Sequence, residues 1–181
     1  MKMNLLNLVR FHPAIVGLVS GAVLGVTQVR AADSTVEEKV KTVRAHYEEI
    51  ETDLKRCTEV KSDLPGESTE GGELTAYFSG QSLRKLIAKF YGETGQAIEE
   101  YYFWNERPIF VLRAESHYNK PLSGIVKSKT EERFYFADGV LIRWLDPAKK
   151  EVLDGPEFQQ RGGECLDRAK RYSALARKVD R

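Results

Sequence analysis

The chain has 181 residues, 41% hydrophobic and 10% aromatic, enough for one domain with an ordinary core. Charged residues make up 30% and almost cancel, leaving a formal charge of +1. Such a balance excludes the broad basic surface on which nucleic-acid binding depends.

The first thirty residues differ in kind from the rest. Lys2 and Arg10 give a positive start, Ala14 to Val26 is apolar and uncharged, and Val29-Arg30-Ala31 places small or aliphatic residues where a signal peptidase reads. The expectation is a signal peptide over residues 1–31 and a single domain over 32–181, located in the periplasm or secreted. Loss of three basic and no acidic residues would take the formal charge from +1 to −2. The run from Pro13 to Val29 is only slightly shorter than the roughly 20 residues that span a bilayer, so a retained anchor is the alternative. On the first reading, the chain meets a membrane only during export.

Ser34 and Glu37 have capping-box spacing and predict a helix running to about Val60. Val36, Val40, Val43, Tyr47, Ile50, Leu54 and Cys57 recur at steps of three or four and form one apolar stripe. Lys61 to Gly72 is polar and reads as a loop. Six short aromatic and branched runs come next: Leu74–Phe78, Leu83–Tyr91, Ala97–Trp104, Ile109–Ala114, Glu132–Phe136 and Val140–Leu145. The turns Gly92 to Gly95, Asn105-Glu106 and Asp138-Gly139 are short enough to require antiparallel neighbours. A second stripe, Cys165, Ala169, Tyr172, Ala176 and Val179, predicts a closing helix. The expected fold is α+β, an antiparallel meander of about six strands flanked by an N-terminal and a C-terminal helix.

Two cysteines in an exported chain read first as a disulfide, and Cys57 and Cys165 each lie on a helical stripe. A bond between them requires both helices on one sheet face. Two-residue hairpin loops would then set Tyr101, Phe103 and Phe110 against Tyr102, Trp104, Ile109 and Val111 on the other face. They would likewise set Phe134, Phe136 and Leu141 against Tyr135, Ile142 and Trp144. The uncovered face would offer Tyr102, Trp104, Tyr135 and Trp144 to a ligand, a protein partner or a second copy of the chain. His117, in the long Glu115–Thr130 connection, joins that candidate surface.

Chemistry is harder to find. No nucleophile elbow, zinc motif, P-loop, calcium loop or dinucleotide fingerprint occurs, so neither catalytic residues nor a metal or cofactor is indicated. Glu99 and Glu100 are the most suggestive acids, but successive strand residues point to opposite faces, and pairing with Lys85 or Lys89 explains them.

Lys89 to Gly95, Glu100 to Phe103 and Arg133 to Ile142 resemble the hairpin core of uncharacterised exported bacterial proteins. That resemblance implies a helix, meander, helix layout in the periplasm and brings no catalytic residue. The expected function is a non-enzymatic binding or protein-interaction module. An envelope hydrolase using carboxylates, or a proteinaceous inhibitor of a cell-wall enzyme, is the alternative.

Overall fold

The computed structural model describes residues 25–64 and 66–179. A helix, α1 (Gly25–Asp53), leads into seven strands: β1 (Thr58–Asp63), β2 (Gly72–Ser79), β3 (Ser82–Gly92), β4 (Gly95–Trp104), β5 (Arg107–Tyr118), β6 (Val126–Ala137) and β7 (Val140–Leu145). A second helix, α2 (Pro156–Val179), closes the chain. The strands form one antiparallel sheet in the order of the sequence. The fold is therefore the α+β meander expected, with seven strands rather than about six. Most of the expected signal peptide, residues 1–24, lies outside the described residues, and α1 runs through Ala31.

The extra strand comes from the stretch read as the end of the first helix and a loop. A three-residue turn of 3₁₀ helix ends at Arg56, Cys57 adopts extended angles, and Thr58 to Asp63 pair along β2. Alternation of polar and apolar residues in Thr58-Glu59-Val60-Lys61 suits an edge strand. Its exposed Glu59 and Asp63, with Lys61 between them, blunt the open edge.

The helices lie on opposite faces of the sheet. Phe158, Gly162, Cys165, Ala169, Tyr172 and Ala176 form the buried stripe of α2. Around it gather Leu74, Phe78, Leu86, Tyr101, Val111, Phe134, Phe136 and Trp144, drawn from β2 through β7. Because α2 touches both edge strands as well as the interior ones, the sheet curls around it. Val40, Val43 and Ile50 of α1 instead pack on Tyr102, Phe110 and Tyr135, on the outer, convex face. Val179, expected on the second stripe, is half exposed.

This arrangement overturns the disulfide. Both thiols are free. Cys165 lies on the buried face of α2, whereas Cys57 comes just after α1 and lies near Arg84, whose guanidinium stacks on Trp104 of the α1 face. The sheet separates the two stripes, and a stripe specifies only that something packs on it, not which face that something is.

The turns explain the remaining error in facing. Asn105 and Glu106 both have positive φ (48° and 62°), as do Asp138 and Gly139 (55° and 79°), the pattern of a tight two-residue hairpin. Each of the three hairpins at this end of the sheet then inserts one extra residue, the third of the returning strand: Arg84, Ile109 and Ile142. A bulge shifts every later residue by one and deepens the local twist. Phe136 therefore pairs with Leu141 as expected, but Phe134 pairs with Trp144 and Tyr102 with Phe110. Trp144 moves to the α2 face and Phe110 to the α1 face, the reverse of the unbulged register.

Candidate functional site

Strand β4 contains Glu99-Glu100-Tyr101-Tyr102, and its alternation builds two similar polar clusters back to back. On the α2 face the hydroxyl of Tyr101 donates to Glu99 at 2.5 Å. On the α1 face the hydroxyl of Tyr102 lies 2.8 Å from Glu100 and 2.6 Å from Glu51 of α1, with its one proton shared between the two carboxylates. Each carboxylate meets cations. Lys85 of β3, 5% exposed, puts its Nζ 2.7 Å from both Glu51 and Glu100 and 4.6 Å from the centre of the Tyr102 ring. Glu99, 3% exposed, faces Arg113 of β5 at 3.7 Å and Arg168 of α2 at 3.4 Å. These two contacts are ion pairs only, because the buried Nε atoms of both arginines make no hydrogen bond.

The electrostatics reflect the neighbours. Burial alone would push the Glu51 carboxyl up, but hydrogen bonds from Lys85 and Tyr102 outweigh it and hold the group below its ordinary value. Burial likewise works against the Lys85 charge, and its two carboxylates more than offset that, so its pKa is raised. Burial and the adjacent carboxylates raise Tyr101 and Tyr102 far above the usual phenol. The Cys165 thiol is pushed up to about 11, chiefly by burial, so it stays protonated and unreactive. These charges are occupied with one another.

Open space lies instead beside α1. A groove of about 280 Å³ runs between the helix and the convex face, lined by Val43, Arg44, Tyr47, Glu48, Phe110, Leu112, Arg133 and Tyr135. Its floor is aromatic: Phe110 and Tyr135 sit 5.0 Å apart, and Tyr47 meets Phe110 edge-on at 5.6 Å. The bulge at Ile109 is what turns Phe110 toward this floor. Arg44 lies over the Tyr135 ring at 5.8 Å, and Arg133 also lines the groove while reaching Glu131 at 3.4 Å. The groove thus pairs an apolar floor with two guanidinium groups and one carboxylate, Glu48.

The candidate surface residues disperse. Tyr135 lines the groove, and Tyr102 is buried beside it under α1. Trp104 is half-buried, its ring stacked on His46 at 3.8 Å. Trp144 is buried on the other face, donating from Nε1 to Glu132 at 3.2 Å. His117 is exposed near the end of β5, beside the β3–β4 turn. Arg44, Arg133, Phe110 and Leu112 carry no sequence signal that marks them as site residues. Tyr47 is visible only as a member of the first stripe, and nothing local marks Arg133 as a groove residue.

Among the described residues no group of three His, Cys, Asp or Glu could hold a metal ion, and no helix is long and apolar enough to cross a membrane. No protein-family model, curated protein or solved structure matches the chain.

Proposed function

We propose that the protein is a non-enzymatic, exported binding module that holds its ligand in the groove beside α1. The observation that carries this reading is an aromatic floor lined on open space by the exposed Arg44 and by the part-exposed Arg133, whose guanidinium also reaches Glu131 at 3.4 Å. Such a site suits a short apolar or aromatic segment that ends in a carboxylate or another anion, with the floor supplying affinity and the arginines orientation. Export rests on the N-terminal pattern of residues 1–31, and the ligand class rests on the groove chemistry.

An envelope hydrolase working through carboxylates alone, in the manner of most glycoside hydrolases, needs two of them converging on one cleft. Glu99 and Glu100 diverge to opposite faces and are engaged by Tyr101, Tyr102, Lys85 and arginines, which favours the binding reading.

The test is calorimetric titration with short peptides carrying a C-terminal aromatic or leucine residue and a free carboxylate. The wild-type chain should bind, amidated peptides should bind more weakly, and Arg44→Glu combined with Arg133→Glu should lose at least tenfold in affinity while melting normally. Equal binding by wild type and the double variant would refute the groove as the site.

A further inference from the structure

The β5–β6 connection presents its apolar residues outward. Leu122 is 74% exposed, Ile125 62% and Val126 49%, and together they are half of the six large hydrophobic residues most exposed among those described. The segment is held firmly. Leu122 donates its amide to the Glu93 carbonyl at 2.7 Å, Asn119 to the Ile125 carbonyl at 2.9 Å, and Ser123 bonds the Asn119 side chain at 2.7 Å. Leu122 is kept at φ +57°, a left-handed angle that side-chain-bearing residues seldom adopt. A fixed loop with its greasy side chains in water gains nothing for folding, because burial is what makes such side chains favourable.

The flanking charge indicates what covers it. Lys120 and Lys127 border the tip and have no ion-pair partner among the described residues, whereas Lys129 is taken up by Glu131 at 3.2 Å. Glu93 in the facing turn is the nearby acid. Three projecting side chains are far too little for a stable protein interface, which buries about 800 Å² on each partner. They are enough to seat a peripheral protein at a bilayer when cations add attraction to anionic headgroups. We propose that this loop docks on an anionic lipid bilayer, with Leu122, Ile125 and Val126 entering the headgroup boundary and Lys120 and Lys127 meeting the lipid phosphates. The contact is independent of the groove beside α1, and it extends membrane association beyond the moment of export.

A local probe tests it on the full chain, whatever the N-terminal segment does. Leu122→Trp, with the wild-type emission of Trp104 and Trp144 subtracted, should blue-shift on vesicles of phosphatidylglycerol and be quenched when those lipids carry brominated acyl chains. Adding Lys120→Glu and Lys127→Glu, or raising the salt several-fold, should remove the quenching. In sedimentation, Leu122→Ser with Ile125→Ser should weaken loop-dependent binding on the order of tenfold or more. Val126→Trp serves as the reporter if Leu122→Trp disturbs the fold. No quenching of either reporter overturns the proposal, as does equal quenching in phosphatidylcholine vesicles. A reporter shielded only by a co-purifying protein would assign the loop to a protein partner and overturn it too.

Discussion

The two faces of β4 carry the same pair of residue types, a glutamate and the tyrosine two positions on, yet their ionic partners differ. On the α1 face one cation, Lys85, serves two carboxylates; on the α2 face Glu99 meets two arginines, of which Arg113 also bonds Glu115 at 2.5 Å and faces Glu132 at 3.9 Å. Surroundings differ as well. The α2 cluster belongs to the large core around which the sheet curls, while the α1 cluster sits under a helix that covers only part of the convex face and leaves a groove beside it. The lesson is that one strand supports the stable side of the molecule and the accessible side at once, and that the same motif is held more tightly where packing is deeper.

The largest expected effects come from stripping each cluster of its central charge. Glu99→Ala leaves the buried hydroxyl of Tyr101 and the Arg168 guanidinium without their acceptor, while Arg113 keeps Glu115 and Glu132, and should cost about 3–5 kcal/mol. Lys85→Ala should cost less, about 1.5–3 kcal/mol, because Glu51 and Glu100 are 36% and 25% exposed and regain water. Acid separates the two. The folded Glu51 pKa is depressed, so in the wild type its contribution is present above the ordinary value of 4.5 and is lost as pH falls through the folded value. Without Lys85 most of what lowers Glu51 goes, although the Tyr102 hydrogen bond remains, so the variant has less of this contribution to lose in acid. Urea unfolding at pH 7 and pH 4 should therefore show the Lys85→Ala deficit shrinking on acidification. A deficit that grows toward pH 4, or one larger than that of Glu99→Ala, would break the comparison.

Two adjacent glycines of α2 sharpen it on the α2 side. A Cβ on Gly162 would stand 2.9 Å from the Cβ of Leu141, an atom tied to the β7 backbone, whereas one on Gly163 would meet nothing within 4 Å. Gly163→Ala should stabilise the protein by about 0.5–1 kcal/mol through helix propensity. Gly162→Ala has the same propensity gain but must push helix from sheet, and should cost about 1–3 kcal/mol net. Thermal melts of the two variants should move in opposite directions. Equal shifts would mean that α2 is packed loosely enough to yield.

Much of this architecture is legible in the sequence because it is periodic. Val36 to Leu54 and Cys165 to Ala176 mark two buried helix faces, and the Asp138-Gly139 turn pairs Phe136 with Leu141. The illegible part is set by single extra residues and by long-range choice. The bulges at Arg84, Ile109 and Ile142 fall on residues, one arginine and two isoleucines, that an unbulged strand carries equally well, yet each inverts the facing of the later residues in its strand, which is why an unbulged register puts Trp144 and Phe110 on the wrong faces. Which side of the sheet each helix takes depends on the whole core. The groove inherits both uncertainties, since Phe110 reaches it through a bulge and Arg44 through the placement of α1.

The smallest expected effect, a null one, concerns the cysteines and tests whether the two faces are independent. Because Cys57 and Cys165 are unpaired, reductant should leave the melting temperature unchanged, in contrast to the several kcal/mol that closing a loop of this length would contribute. Unfolded, unreduced protein should titrate two thiols with a disulfide-exchange reagent. In the native protein the two should differ. Cys57 is half-buried, its thiol only 3.6 Å from the Asp53 carbonyl, and burial raises its pKa, so it should react slowly at pH 8. Cys165, on the buried face of α2 with its thiol pushed up to about 11, should react only as fast as the α2 face opens. Gly162→Ala should then speed labelling of Cys165 while leaving Cys57 untouched, because the strain it adds lies between α2 and β7. Labelling of both thiols at one common rate would show that the faces open together, and a fall in melting temperature on reduction would reinstate a covalent link between them.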